Sequence, residues 1–100
     1  MAEKGLATDQ QIAGALSELP GWKRQGKAIE KTYDLKAFKA SMAFASTVGE
    51  IAERADHHPD ILIQYSKVTL TLSSHDAGGV TDRDLRLARQ IEAAAKDQMA

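Results

Sequence analysis

The chain has 100 residues, which is enough for one domain with a single modest core. Its 13 basic and 14 acidic residues give a net charge of −1, which excludes the basic surface that nucleic acid or an anionic membrane would attract. Cysteine is absent, which excludes disulfides, thiolate metal sites and a cysteine nucleophile, and no run of about 18 apolar residues suits a membrane span. We therefore expect a single soluble, cytoplasmic domain over residues 1–100, with neither nucleic acid nor membrane as a partner.

A short helix is the first predicted element. Thr8 can cap its start, and Gln11, three residues later, completes a capping-box pattern. Pro20 and Gly21 should stop it. The apolar positions at helical spacing, which should face the core, are Ile12, Ala15, Leu16 and Leu19.

Residues 22–35 predict a β-hairpin. Gly26-Lys27 lies between two strand-like runs, and a glycine at the first turn position suits a two-residue connection. Ile29 and Tyr33 are the expected inward side chains, and Trp22 is expected in the core or at a subunit interface.

A long amphipathic helix is predicted from residue 36 to about residue 55, because no proline interrupts this segment and helix-forming residues dominate it. The helix should end at His57-His58-Pro59, since proline disfavours the α conformation of the residue before it. Its expected buried stripe consists of Phe38, Met42, Ala45, Val48 and Ala52, flanked by Phe44 and Ile51.

A second hairpin is predicted next, from a short strand at 61–65 and a clearly alternating strand at 67–74. Val68, Leu70 and Leu72 share one face of the latter, so that face should be buried.

The last segment predicts a helix. Gly78-Gly79 allows a sharp turn, and Thr81-x-x-Asp84 is a capping box that opens the helix. The element order is therefore α-β-β-α-β-β-α, an α+β fold in which a four-stranded antiparallel sheet has helices packed on one face. The inner stripe of the last helix consists of Leu85, Ala88, Ile91 and Ala95.

The three histidines, His57, His58 and His75, flank the second predicted hairpin. Antiparallel pairing of its strands would bring all three imidazoles toward one edge of the sheet, where they could transfer protons near neutral pH. A metal site is one alternative, although adjacent histidines rarely converge on one ion. Surface histidines without a role are another. Oxygen ligands for a metal could come from Asp56, Asp60 and Asp76.

Other polar residues near the histidines have ordinary structural explanations beside functional ones. Ser73 and Ser74 carry no mark of an activated nucleophile. Asp84 is expected first to cap the last helix and only second to act in catalysis. Glu53 is a solvated helix position unless the helix end meets the site, in which case it could orient an imidazole.

Three motifs together resemble the pterin-4a-carbinolamine dehydratase (4a-hydroxytetrahydrobiopterin dehydratase) family, over nearly the whole chain. The family's fold has the same order of elements. The motifs are Glu53-x-x-x-His57-His58-Pro59, Tyr65-x-Lys67-Val68 and Ser74-His75-Asp76-Ala77-Gly78-Gly79-x-Thr81-x-x-Asp84, and Gly21-Trp22 resembles the start of the family's first strand.

This resemblance implies a hydro-lyase that expels the 4a-hydroxyl of 4a-hydroxytetrahydrobiopterin as water and yields quinonoid dihydropterin, in tetrahydrobiopterin recycling. It implies that the pterin is the substrate and that neither a metal nor an organic cofactor is needed. It also implies a functional link to a pterin-dependent aromatic amino acid hydroxylase, and a homodimer or homotetramer.

The resemblance also assigns roles to residues. His57 and His75 would protonate the departing hydroxyl, while His58 would bind and orient the ring and assist proton transfer from N5. Glu53 and Asp84 would support these imidazoles from behind. The remaining residues implied to contact the substrate are Pro59, Ser74, Asp76 and Ala77.

Ile61 departs from the animal members of the family, which have an aromatic residue there. The departure removes an expected stacking contact but no proton-transfer residue, and it is typical of bacterial members. The family implies one alternative function, a non-catalytic binding or dimerisation module of the coactivator or assembly-factor type. Retention of all three histidines favours the enzyme.

Overall fold

A computed structural model describes residues 5–98, and these contain three helices and four strands. The predicted α+β class and the order α-β-β-α-β-β-α are confirmed. The elements are α1 (Asp9–Leu16), β1 (Lys23–Gln25), β2 (Ala28–Asp34), α2 (Phe38–Ala55), β3 (Asp60–Gln64), β4 (Lys67–Leu72) and α3 (Asp82–Gln98).

The four strands form one antiparallel sheet in the order β1-β2-β4-β3, so β4 is central and β3 lies at an edge. The alternation predicted for β4 is confirmed, since Val68, Leu70 and Leu72 are fully buried. Ile29 and Tyr33 of β2 lie directly opposite Leu72 and Val68 and are buried on the same face. The opposite face carries polar residues such as Thr69. Side chains from all three helices complete the core on the apolar face.

The first helix begins as predicted, because Thr8 and Gln11 form both hydrogen bonds of a capping box. It ends at Leu16, earlier than the Pro20-Gly21 stop predicted for it. The backbone forms tighter turns after Leu16, because the N–H groups of Glu18 and Leu19 bond carbonyls three residues back instead of four. Leu19 is still buried, although it lies beyond the helix.

The second helix differs from its prediction in its start and in its N-terminal stripe. Lys36 has a positive φ of 72°, so the helix begins at Phe38 and not at residue 36. Phe38 and Met42 are about half exposed, whereas Ser41 and Phe44 are buried. Phe44 packs against the Tyr33 ring with centroids 4.9 Å apart, which sets the rotation of the helix. Met42, two residues from Phe44, is then turned about 200° away from it.

A polar cluster ties α3 to the sheet. The Glu92 carboxylate accepts hydrogen bonds from Tyr33 Oη at 2.6 Å, Lys31 Nζ at 3.0 Å and Trp22 Nε1 at 3.2 Å. Burial pushes the pKa of Glu92 upward, but the bonds from Tyr33 and Lys31 outweigh it and hold that pKa below its usual value. Burial, followed by the bond to Glu92, raises the pKa of Tyr33. Trp22 is thus a buried core residue, as predicted.

The hairpin on which the histidine hypothesis depended is present. Asp60 pairs with Thr71 and Gln64 with Lys67, and a two-residue turn at Tyr65-Ser66 joins the strands. Each strand is somewhat shifted or shorter than predicted, since β3 ends one residue before Tyr65 and β4 ends at Leu72. Within residues 5–98, no helix is both long enough and apolar enough to cross a bilayer.

Candidate active site

A cavity of about 280 Å³ opens at the end of the sheet where β3 begins, β4 ends and the β1–β2 turn lies. This is close to the lower limit of small-molecule sites, which span about 300–1,000 Å³. Its lining brings together the segments before β3, after β4 and between β1 and β2. The polar side chains in that lining are Lys27, His58, Asp60, Thr71, Ser73 and His75.

Two of the three histidines line this cavity, and they come from opposite ends of the second hairpin. His58 lies just before β3 and His75 lies just after β4. The antiparallel register, in which Asp60 faces Thr71, brings those two ends side by side. The strand pairing has therefore brought together imidazoles that are seventeen positions apart in the chain.

His57 is directed elsewhere. The proline after His58 favours an extended conformation of the residue before it, and successive side chains of an extended segment point to opposite sides. His58 reaches the cavity, whereas His57 borders a separate cleft beside Arg83 and Leu87 of α3. The two adjacent imidazoles therefore lie in different clefts.

The His57 imidazole is anchored to a buried carboxylate. Its Nε2 lies 2.5 Å from Asp84 Oδ1, and the side chains of His57 and Asp84 are 11% and 0% exposed. The other oxygen of Asp84 accepts hydrogen bonds from Ser74 Oγ and from the Thr81 backbone N–H, both at 2.9 Å. Three hydrogen bonds to the Asp84 carboxylate therefore join the segment before β3 to the loop after β4.

Asp84 fulfils the capping prediction and also contacts a histidine. Its bond from the Thr81 N–H is half of a capping box, while Thr81 Oγ1 accepts from the Arg83 N–H at 3.2 Å. The two explanations considered for Asp84 were a cap and a site residue. One buried carboxylate can serve as both because it has two oxygens with about four lone-pair positions.

The His58 imidazole pairs with Glu53, at 2.9 Å between Nε2 and Oε1. Glu53 lies in the last turn of α2, and that helix ends at Ala55 with Asp56 in the left-handed conformation. This pair is far more exposed than the other, at 59% for His58 and 80% for Glu53. Solvent therefore reaches both partners.

The loop that carries His75 is held by backbone hydrogen bonds around Ser74. The Ser74 carbonyl accepts bonds from the N–H groups of Ala77, Gly78 and Gly79, and Gly78 takes a positive φ of 80° that suits glycine. Asp76 is bonded to Arg83 at 2.7 Å. These residues shape the loop and leave the His75 side chain exposed.

The predicted substrate contacts divide into two groups in this structure. His58 and His75 belong to the lining of the cavity. The predicted contacts that lie outside that lining are His57, Pro59, Ser74, Asp76 and Ala77.

Lys27, Thr71 and Ser73 line the cavity and were not predicted as site residues, and Asp60 was considered only as a metal ligand. Thr71 and Ser73 alternate with the buried residues of β4, so the alternation predicts that both lie on the polar face of the sheet. Lys27 offered no such signal, because the turn that holds it meets the cavity only through the pairing of β2 with β4. Within residues 5–98, no three His, Asp or Glu side chains are grouped so as to hold a metal ion.

Known proteins resemble this chain over most of its length. A protein of Thermomicrobium roseum, whose name assigns it provisionally to the pterin-4-alpha-carbinolamine dehydratases, is 53% identical over 83 residues, which are 83% of this chain and 89% of that protein. A Nocardia farcinica protein with the same provisional name is 52% identical over 91 residues, which are 91% of this chain and 96% of that protein.

Two solved structures have the same fold. The crystal structure of a transcriptional coactivator/pterin dehydratase from Brucella melitensis superposes with a TM-score of 0.86 at 32% identity, covering 91% of this chain and 99% of that one. A pterin dehydratase-like protein described as a RuBisCO assembly factor in the alpha-carboxysome superposes at 0.64 with 22% identity, over 75% and 89% of the two chains, and shows likeness of fold alone.

The family model for pterin 4 alpha carbinolamine dehydratase matches residues 5–94, which include the histidine pair, the second hairpin and the loop that carries His75. The chain therefore belongs to the pterin 4 alpha carbinolamine dehydratase family.

Proposed function

We propose that this protein is a hydro-lyase that dehydrates 4a-hydroxytetrahydrobiopterin, or a closely related 4a-hydroxytetrahydropterin, to the quinonoid dihydropterin and water. The observation that carries this proposal is the pair of imidazoles, His58 and His75, on the wall of one cavity of about 280 Å³. Two imidazoles beside one ligand can give and take a proton near neutral pH, which is what this dehydration requires.

The reaction balances with protons alone. The C4a–O bond breaks as one imidazolium donates a proton to the leaving hydroxyl, which departs as water. The N5 lone pair forms the C4a=N5 double bond, and the N5 proton passes to the second, neutral imidazole. No electron leaves the substrate, so the proposed mechanism uses neither metal nor organic cofactor.

We assign these two steps to His75 and His58, with His75 as the donor to the hydroxyl and His58 as the acceptor from N5. The exposed pair with Glu53 supports the second role, because a carboxylate that bonds an imidazole can hold the ring in one orientation beside the ligand. The proton donation that the family implies for His57 stays a prediction. Its Nε2 is bonded to Asp84, so we propose that His57 positions the segment from which His58 projects.

A stopped-flow assay of carbinolamine loss tests the assignment. We expect the rate constants of His58→Gln and His75→Gln to fall by about 10²–10⁴-fold, the usual contribution of general acid–base catalysis. Thr32→Ala is the matched control, because Thr32 lies on the same polar face of the sheet but outside the cavity lining. If both histidine variants kept the wild-type rate, the catalytic assignment would be wrong, and if the wild type did not speed carbinolamine loss, the proposed function would be wrong.

A binding module is the second candidate function, and the exposed apolar side chains at the edge of the sheet favour it. Leu62 of β3 is half exposed, Tyr65 in the adjoining turn is more exposed still, and β3 has a free edge. Such an edge invites pairing with another chain, so we propose a homodimer or homotetramer as well. A chain that forms oligomers in light scattering yet neither binds a pterin nor speeds carbinolamine loss would support the binding module over the enzyme.

We also propose, from the reaction itself, that a pterin-dependent aromatic amino acid hydroxylase supplies the substrate. Such an enzyme leaves a 4a-hydroxylated pterin after using oxygen, and the dehydrated product is the form that a reductase can recycle. Coupled turnover of a hydroxylase with and without this protein measures the link. An unchanged hydroxylase rate at limiting pterin would contradict it.

A further inference from the structure

Two opposite charges line the cavity and neither belongs to the histidine pairs. Lys27 lies in the turn between β1 and β2, and Asp60 is the first residue of β3. Among the residues that the structure describes, neither the Lys27 ammonium nor the Asp60 carboxylate forms an ion pair. Both charges are therefore available to a ligand.

The sheet holds the two charges on opposite sides of the cavity. Asp60 pairs with Thr71 of β4, and Lys27 directly precedes β2 on the other side of β4. Across the strands the two residues are thus two interstrand spacings apart, about 10 Å. Along the strands Lys27 lies three residues from Glu30, the residue level with Asp60 and Thr71, which adds an offset of about 10 Å in that direction. Ser73 Oγ donates a hydrogen bond to the Lys27 carbonyl at 2.7 Å, which fastens the turn to the end of β4.

A pterin has two chemically different ends that match this arrangement. The 2-amino group and N3–H present two adjacent donors, which a carboxylate can accept as a pair in the way that it accepts the two donors of a guanidinium. The substituent at C6 lies at the opposite end of the bicycle. With the pyrimidine end at Asp60, the C6 substituent points to Lys27.

We propose that Lys27 makes this cavity selective for pterins whose C6 substituent carries a negative charge, a phosphate or a carboxylate, with Asp60 fixing the orientation of the ring. The inference rests on the proposed function, since it assumes that a pterin occupies the cavity. It goes beyond that function because it separates one class of pterin from another.

Fluorescence titration with two matched pairs of oxidised pterins tests this selectivity. Neopterin and neopterin 3′-monophosphate differ only by a phosphate. 6-Carboxypterin has a carboxylate on C6 where 6-hydroxymethylpterin has a neutral hydroxymethyl group. We expect the wild-type protein to bind an anionic member about fivefold more tightly than its neutral partner, the effect of one partly solvated charge pair. The preference should shrink as salt is added. The pair with the larger preference identifies which anion Lys27 reaches.

Variants separate the contact from a structural effect. Lys27→Gln should reduce the preference to about one without changing the affinity for the neutral pterins, and Lys27→Glu should reverse it. Lys23→Gln is the matched control, because Lys23 is an exposed lysine of the same hairpin outside the cavity lining, and it should keep the preference. Asp60→Asn should weaken all four ligands alike.

Several results would overturn the inference. Equal affinities within both pairs for the wild type, or an equal loss for charged and neutral ligands in Lys27→Gln, would show that Lys27 selects nothing. The same loss in Lys23→Gln would show that the preference for anionic pterins comes from the overall positive charge of the β1–β2 hairpin and not from Lys27. If the wild type bound none of the four pterins, the proposed function itself would fail, which is a distinct outcome.

Discussion

The two adjacent histidines each bond a carboxylate, and the two pairs should differ sharply in what they contribute to the free energy of unfolding. His57 and Asp84 are almost fully buried, whereas His58 and Glu53 are exposed. Replacing each carboxylate by its amide removes the charge and keeps the shape. Asp84→Asn and Glu53→Gln therefore make matched perturbations of the same chemistry in two different environments.

The cost of Asp84→Asn follows from its three hydrogen bonds. The amide oxygen can keep the bonds from Ser74 and Thr81, but its NH₂ group then faces His57 Nε2, which must become an acceptor. A charge-assisted bond worth about 1.5–3 kcal/mol is replaced by a neutral one worth about 0.5–1.5 kcal/mol. We expect a loss of about 1–2 kcal/mol in the free energy of unfolding. For the exposed Glu53→Gln we expect less than about 0.5 kcal/mol.

Urea unfolding followed by fluorescence measures both changes, because Trp22 is the only tryptophan and is buried. Double-mutant cycles with His57→Gln and His58→Gln isolate each pair. We expect a coupling energy of about 1–3 kcal/mol for the buried pair and a value near zero for the exposed one. Equal coupling energies in the two pairs would refute the reasoning that burial, and not the bond itself, makes the difference.

Three further predictions concern stability. Glu92→Gln should cost about 1–3 kcal/mol at pH 7, because Tyr33 and Lys31 lose a charged acceptor. Folding lowers the pKa of Glu92, so this contribution to wild-type stability should be present above the ordinary carboxyl pKa of about 4.3 and should be lost as the pH falls further. Identical pH profiles of urea unfolding for the wild type and Glu92→Gln would contradict this. Asp56→Gly should raise the melting temperature in circular dichroism by about 2–4 °C, since Asp56 has a positive φ of 52°, and a lower value would be inconsistent with backbone strain there. Leu70→Ala in the central strand should lower the free energy of unfolding by about 2–5 kcal/mol, measured with urea. A loss below about 1 kcal/mol would show that neighbouring core side chains move in to fill the cavity.

Local patterns were enough to predict most of the fold. The alternation in β4, the capping residues Thr8 and Gln11, and the glycine turn between β1 and β2 all depend on residues close together in the chain. The stripe of α2 was predicted less well, because Phe38 and Met42 are as apolar as Phe44. Choosing between two apolar faces required the Tyr33 ring against which Phe44 packs, and that contact crosses two elements.

The site was predicted only in part. The strand pairing that places His58 and His75 on one cavity followed from the two flanking strand patterns, and it is present. Asp84 was correctly read as a helix cap, but its bond to His57 joins residues 27 positions apart and has no local signature. The expectation that all three imidazoles share one site did not allow for the alternation of side chains along an extended segment.

The sequence by itself determined the order of the elements, the buried face of β4 and the identity of the titrating groups, because each of these depends on local periodicity or on residue type. Only the tertiary structure decided what each histidine meets. The register of β3 on β4 and the docking of α3 turn His57 to a buried carboxylate and leave His58 on the open cavity. The same sheet order brings Lys27, from the β1–β2 turn, and Asp60, from β3, to that cavity, although β3 pairs with neither β1 nor β2. Contacts across strands depend on which strands are neighbours, and that is settled by packing of the whole core.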